Sequence, residues 1–179
     1  SSSLVVTLSP GMKSHITDRF PKTNAISVTN SANIKLFSSP KEIITHPQLV
    51  GKKFAIYTGN IGMVNNSELL YRTAKKLREE GRDDIVILLI GDGQQKEEII
   101  KKSEGLNTIL FLELMPKVEL VNYVKNALVS IIPLNDTPIL STSSPNKLFE
   151  SMAAAIPVIQ TTNGWIKKML QESKSGFTV

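Results

Sequence analysis

Short apolar segments alternate with amphipathic segments along nearly the whole chain. Residues 84–90 form a continuous apolar run, which is typical of a strand buried on both faces of a sheet. The other apolar segments are equally short and are bounded by polar residues or glycine, which also favours strands. The predicted strands are residues 4–8, 25–29, 53–58, 84–90, 108–112, 127–133, 156–160 and the C-terminal run 176–179.

Helical periodicity fills the intervals between these strands. Between Asn66 and Gly81, apolar residues recur at helical spacing, Asn65 or Asn66 can cap the helix and Gly81 can end it. Residues 38–50, with two prolines, are predicted to form a loop with a short helix. The other predicted helices are residues 94–104, residues 117–126, a short helix with Pro145 in its first turn, and a helix from about residue 165 to residue 171.

Regular alternation of buried strands and helices predicts an α/β fold: a Rossmann-like, doubly wound parallel sheet with helices on both faces. Ligands of such folds bind outside the carboxyl ends of the strands. That rule selects the loops 59–65, 91–95, 113–116, 134–145 and 160–164. Gly59, Gly62, Gly91 and Gly93 lie in these loops, where they permit close approach of a ligand or simply form turns.

The segment Ser143-Ser144-Pro145-Asn146-Lys147-Leu148-Phe149-Glu150 carries the strongest chemical signal. Pro145 suits the start of a helix, whose free N–H groups together with Lys147 attract an anion. Glu150 lies one turn beyond Asn146, about 6 Å along the axis, which is the distance from a diphosphate to its ribose. The pattern predicts a nucleotide-diphosphate site. The alternative is an ordinary helix with Lys147 and Glu150 as a solvated pair.

Composition limits the remaining function classes. The chain has 179 residues, no cysteine and a net charge of +5, with basic and acidic residues interleaved on the predicted helices. This pattern argues against a nucleic-acid surface, and the absence of cysteine fits a reducing compartment. His15 and His46 lack metal-ligand spacing. The loop Gly91-Asp92-Gly93 has Lys96 where a dinucleotide fingerprint needs its third glycine, so a hydride-transfer enzyme is disfavoured.

Taken in order, the motifs resemble those of the C-terminal, donor-binding half of retaining GT-B glycosyltransferases, in the bacterial group that builds capsule, exopolysaccharide and lipopolysaccharide. The resemblance covers nearly the whole chain, and its most specific part is 145–159. It implies a single Rossmann-like domain over residues 1–179, with both ends cut, 1–23 next to the interdomain region, and the acceptor domain absent. The matching segments are residues 9–13, 28–33, 57–62, 90–93, 111–116, 145–159, 164–166 and 176–179.

The resemblance also implies a role for each site residue. Glu150 corresponds to the second glutamate of the family's E-x7-E motif and would accept hydrogen bonds from the ribose. Met115 would read the base through its backbone. The other nucleotide-binding residues implied are Gly59, Asn60, Gly62, Gly91, Gly93, Lys147 and Leu148, and those near the donor sugar are Thr142, Ser144 and Asn146.

Three departures from the family pattern affect the expected chemistry. Thr142 occupies the position of the first glutamate of E-x7-E, and Asn60 and Asn65 occupy the positions of the usual basic pair. Lys147 is therefore predicted to be the main cation at the diphosphate.

The resemblance implies a UDP-linked rather than a GDP-linked donor, no metal ion, and no nucleic-acid partner. It also implies a glycan or lipid-linked acceptor bound by the N-terminal domain. The expected location is the cytoplasm, with the intact protein able to dock on the inner face of the membrane. Two alternatives remain at this stage: a sugar-nucleotide 2-epimerase of the same architecture, and a non-catalytic protein-docking module.

Overall fold

Six parallel strands form the main sheet in the computed structural model, which describes residues 3–179; their spatial order is β5-β4-β3-β6-β7-β8. The strands are β1 Val5–Thr7, β2 Ala25–Ser27, β3 Lys53–Thr58, β4 Ile85–Ile90, β5 Ile109–Leu112, β6 Val129–Ile132, β7 Val158–Gln160 and β8 Gly176–Thr178. The helices are α1 Pro10–Arg19, α2 Ile34–Phe37, α3 Ser67–Glu79, α4 Lys96–Lys102, α5 Lys117–Asn126, α6 Asn146–Ala153 and α7 Trp165–Ser173. Short 3₁₀ turns cover Pro47–Leu49, Met63–Asn65 and Leu140–Thr142.

Apolar residues on both faces of the sheet bury its central strands. In β3, Phe54 and Ile56 pack with α2 and α5, whereas Ala55 and Tyr57 point to the other face and pack with α3. Successive side chains of a strand alternate between faces, so a strand covered on both sides needs a continuous apolar run. The predicted α/β class, with a parallel sheet and helices on both faces, is confirmed.

A small unit precedes the main sheet. Strands β1 and β2 pair in parallel with each other, in a separate two-stranded sheet, and α1 connects them. The sequence pattern did not predict α1, because none of its residues is fully buried and it has no apolar stripe. Its signal was local: Pro10 is in the first turn, and the Ser9 hydroxyl accepts a hydrogen bond from the Met12 N–H at 3.0 Å.

Two helix starts differ slightly from expectation. Asn66 is the residue before α3 and has a left-handed backbone conformation, but its side chain makes no capping hydrogen bond. Pro145 precedes α6 rather than opening it, so Asn146 is the first helical residue. Among residues 3–179, no helix combines the length and apolar character that a membrane crossing requires. The predicted domain limits, including the interdomain role of residues 1–23, stay predictions.

Candidate functional site

A cleft of about 400 Å³ opens at the carboxyl edge of the sheet, between the loop after β3, the start of α5 and the start of α6. Six of the twelve predicted site residues line it, so the loop after β3, the loop before α5 and the start of α6 surround one space. These six residues are Gly59, Asn60, Met115, Asn146, Lys147 and Glu150.

Lys147 brings a partly buried cation into this cleft. Its Nζ lies 4.1 Å from the centre of the Tyr57 ring, and makes no hydrogen bond to any residue in the range 3–179. Burial lowers the pKa of Lys147 to about 8, although the nearby Glu150 carboxylate acts to raise it. The Lys147 ammonium is partly shielded from water and has no hydrogen-bond acceptor among the described residues. An anion in the cleft would supply that acceptor.

Tyr57 supports both the lysine and the glycine loop. Its ring is fully buried beneath Lys147, and its hydroxyl donates a hydrogen bond to the Asn60 carbonyl. Burial raises the pKa of Tyr57, so the hydroxyl stays protonated and keeps its role as donor. The loop that borders the cleft is thus fixed from below by a side chain of β3.

The start of α6 offers backbone donors beside Lys147. Within the described part of the chain, the N–H groups of Asn146 and Lys147 have no hydrogen-bond acceptor. The N–H of Leu148 differs, because it donates to the Pro145 carbonyl at 3.1 Å, and the Leu148 side chain is fully buried in the core. Two free donors and a lysine therefore meet at one helix end.

Glu150 lies one turn further along α6 and is only 13% exposed. The Lys117 ammonium donates to its Oε1 at 2.5 Å. No ion pair joins Lys147 to Glu150 among residues 3–179, so the interpretation of these two as a solvated pair is wrong. The carboxylate lies in the cleft, as the helical spacing predicted.

The remaining glycines shape the loop rather than line the cleft. A Cβ at Gly91 would lie 1.9 Å from the Gly59 carbonyl oxygen, and one at Gly93 would lie 2.3 Å from the Ile61 carbonyl oxygen. At Gly62 a Cβ would meet the Asn60 side chain at 2.7 Å. Gly91 and Gly93 need glycine because the backbones of two loops touch there, whereas the neighbour of Gly62 is a side chain of its own loop. Of the four glycines, Gly59 alone borders the cleft.

Thr142 and Ser144 lie outside the cleft, in the loop leading to α6. The Thr142 hydroxyl donates to the Ile139 carbonyl at 2.7 Å, and the backbone carbonyl of Thr142 accepts a hydrogen bond from the Ser9 hydroxyl. Ser144 is buried, and its hydroxyl accepts from the Asn30 N–H at 3.3 Å. Both residues tie this loop to the N-terminal unit; their contact with a donor sugar stays a prediction.

Sequence reasoning missed two residues of the site. Lys117 follows Pro116 at a helix start, where nothing in the sequence links it to Glu150, since 33 positions separate them. Tyr57 was placed in a predicted strand and in the matching segment 57–62, but it was not predicted as a site residue. A hydroxyl on an otherwise apolar buried strand was the available signal, because a buried phenol needs a hydrogen-bond partner.

The parallel sheet, the helices on both its faces and the cleft at the carboxyl ends of its strands define the class of Rossmann-like α/β proteins. Within that class, residues 52–179 match the model of the family described as "Glycosyl transferases group 1". The match covers well over half of the chain, which therefore belongs to this family.

Individual relatives agree with this assignment. Spore coat protein SA of Bacillus subtilis is 21% identical over 191 residues, covering 98% of this chain and 50% of that protein. Among solved structures, HepE of Anabaena in complex with UDP and glucose superimposes with a TM-score of 0.69 at 14% identity, over 99% of this chain and 49% of that one. The lipopolysaccharide outer core galactosyltransferase WaaB superimposes with a TM-score of 0.69 at 18% identity. This match covers 99% of this chain and 48% of WaaB. The chain spans about half the length of these relatives.

Proposed function

We propose that this chain is the donor-binding half of a retaining GT-B glycosyltransferase and binds a nucleoside-diphosphate sugar. The observation that carries the proposal is the cleft in which Lys147, two free N–H groups and Glu150 lie along one helix. The cation and the N–H groups suit a diphosphate, and the carboxylate a turn away suits the two hydroxyls of a ribose. The Met115 backbone is available to the base.

The same groups would assist the departure of the nucleotide. As the bond between the sugar and the diphosphate breaks, negative charge builds up on the diphosphate oxygens. The helix start and the Lys147 ammonium are already in place to stabilise that charge. Because this chain supplies the positive charge itself, we expect nucleotide binding to persist in the presence of EDTA.

The rest of the reaction falls to a partner domain. We propose that an N-terminal domain binds a glycan or lipid-linked acceptor, in the assembly of a bacterial surface polysaccharide such as capsule, exopolysaccharide or lipopolysaccharide. The HepE structure contains UDP and glucose, which supports a UDP-linked hexose as donor. The site would use the cytoplasmic pool of nucleotide sugars, and a lipid-linked acceptor would bring the intact protein to the inner face of the membrane.

Titration with nucleotides tests the proposal directly. UDP is expected to bind this chain with a Kd of roughly 0.1–1 mM, because only half of the enzyme's cleft is present. At saturating UDP the melting temperature should rise, since the ligand binds only the folded state. Isothermal titration calorimetry and thermal denaturation measure the two effects, with GDP and ADP in parallel to identify the base.

Sugar transfer is not expected from this chain alone. A melting temperature that UDP, GDP and ADP all leave unchanged would contradict the nucleotide site and favour the protein-docking alternative. Hydrolysis or epimerisation of a bound UDP-sugar would instead favour the epimerase.

Binding should weaken as the pH rises through the pKa of Lys147. That pKa is about 8 in the free protein, and a bound diphosphate would raise it, so binding takes up a proton. The affinity for UDP is therefore expected to fall up to about tenfold between pH 7 and pH 9. Calorimetry in two buffers of different ionisation enthalpy measures the proton uptake. If the affinity for UDP does not change between pH 7 and pH 9, the charge of Lys147 has no role in binding.

A further inference from the structure

We propose that Lys117 determines how strongly the cleft selects ribose, by holding the Glu150 carboxylate in one orientation. This inference rests on the proposed function, because it concerns the same nucleotide site. Lys117 would act as a positioning residue: it contacts Glu150, and Glu150 contacts the sugar ring of the nucleotide.

The ion pair occupies only one side of the carboxylate. Lys117 donates to Oε1, whereas Oε2 accepts no hydrogen bond from the residues that the structure describes. An ionised carboxylate has about four acceptor positions on its two oxygens. The ribose hydroxyls can therefore bind Oε2 without displacing the ammonium, and the two partners share Glu150.

Lys117 is itself braced from a third helix. Its Nζ lies 5.9 Å from the centre of the Phe37 ring, which is buried at the end of α2. Glu150 comes from α6 and Lys117 from α5, so the pair joins elements that are distant in the sequence. The ammonium is confined between an aromatic ring and a carboxylate, although half of the lysine side chain remains exposed.

Stability of α5 does not explain a lysine at this position. Lys117 is the first residue of the helix, where the helix dipole favours acidic side chains and disfavours a cation. Lys117 thus occupies a position that is locally unfavourable and gains its partner only from α6. That placement indicates a role at the cleft rather than in the helix.

The measurement compares UDP with 2′,3′-dideoxy-UDP, which lacks the hydroxyls that Glu150 would bind. Wild-type protein should bind UDP at least about tenfold more tightly, as expected for hydrogen bonds to a charged acceptor. In Lys117→Met this ratio should fall at least about threefold, because a carboxylate released from Lys117 can rotate away. Lys117→Arg should restore most of the ratio, since the cation is retained.

Lys102→Met is the matched control. Lys102 also forms ion pairs on a helix surface, with Glu68 and Glu98 at 2.8 Å, and its loss changes the net charge equally, but Lys102 does not line the cleft. The ratio of its affinities for UDP and 2′,3′-dideoxy-UDP should equal that of the wild type. Lys102→Met removes exposed ion pairs and should be about as stable as the wild type. Lys117→Met leaves the largely buried Glu150 carboxylate without its partner, so its melting temperature should fall, and Lys117→Arg, which keeps the charge, should restore it.

Three results would overturn the inference. An unchanged ratio in Lys117→Met would show that Glu150 does not need Lys117. A higher ratio would show that Lys117 competes with ribose instead of positioning its acceptor. If the wild-type protein binds neither nucleotide, the proposed function itself fails, which the first titration distinguishes.

Discussion

Replacing Lys147 with methionine is expected to raise the melting temperature of the nucleotide-free protein while removing most of its affinity for UDP. The ammonium is partly buried against Tyr57, and burial lowers its pKa from 10.5 to about 8. That shift corresponds to a cost on the order of 3 kcal/mol at neutral pH, before any discount for residual contact with water. Methionine keeps a similar shape, packs well on an aromatic ring and carries no charge.

The expected gain in stability is about 1–2 kcal/mol, or roughly 3–6 °C for a chain of this size. The expected loss of UDP affinity is about 10–100-fold, since charge-assisted hydrogen bonds to the diphosphate disappear. Thermal denaturation and calorimetry on the same samples measure both changes. If Lys147 served only to stabilise the fold, its replacement would lower both the melting temperature and the affinity for UDP. A higher melting temperature together with a lower affinity therefore identifies a cation that serves binding.

The pH dependence of stability provides an independent check. The pKa of Lys147 is lower in the folded than in the unfolded chain, so the unfolded state binds more protons between pH 8 and pH 10.5. Wild-type stability should therefore rise with pH in this range, relative to Lys147→Met, and the difference in melting temperature should narrow. Lys167→Met, which removes a lysine that donates to Asn163 on the surface of α7, should change neither property. A lower melting temperature in Lys147→Met would contradict the assigned burial cost.

Replacing Gly91 with alanine is expected to destabilise the protein severely and to disrupt the cleft. The new Cβ would lie 1.9 Å from the Gly59 carbonyl oxygen, which belongs to backbone and cannot move alone. Gly59 lines the cleft, so relief of the clash must displace the loop that borders the proposed diphosphate position. We expect a loss of at least about 3 kcal/mol, or roughly 6–12 °C, together with loss of UDP binding.

Gly105→Ala is the matched control for this substitution. Gly105 also has a positive φ, of 79°, but a Cβ there would meet no atom within 4 Å. Only the backbone strain remains, which costs about 1 kcal/mol and leaves the cleft intact. Equal melting temperatures for the two alanine variants would show that the contact between the loops at Gly59 and Gly91 does not constrain the fold.

The two glycine loops illustrate how far sequence reasoning reached. Their position at the carboxyl ends of β3 and β4 followed from the alternation of strands and helices, and the structure places both there. The sequence did not show which glycines line the cleft and which contact the other loop. A glycine that approaches a ligand and one that approaches another loop look alike in a sequence. Helix α1 was missed for a related reason, since a helix without buried residues leaves no hydrophobic period.

The sequence by itself determined the α/β class, the edge of the sheet at which the cleft opens and the placement of Lys147 and Glu150 along one helix. These features depend on local periodicity and on spacing within a single element, where neighbours in sequence are neighbours in space. Only the tertiary structure decided that Tyr57 lies beneath Lys147 and that Lys117 pairs with Glu150. Such contacts join separate elements, and their geometry depends on how the sheet and helices pack together.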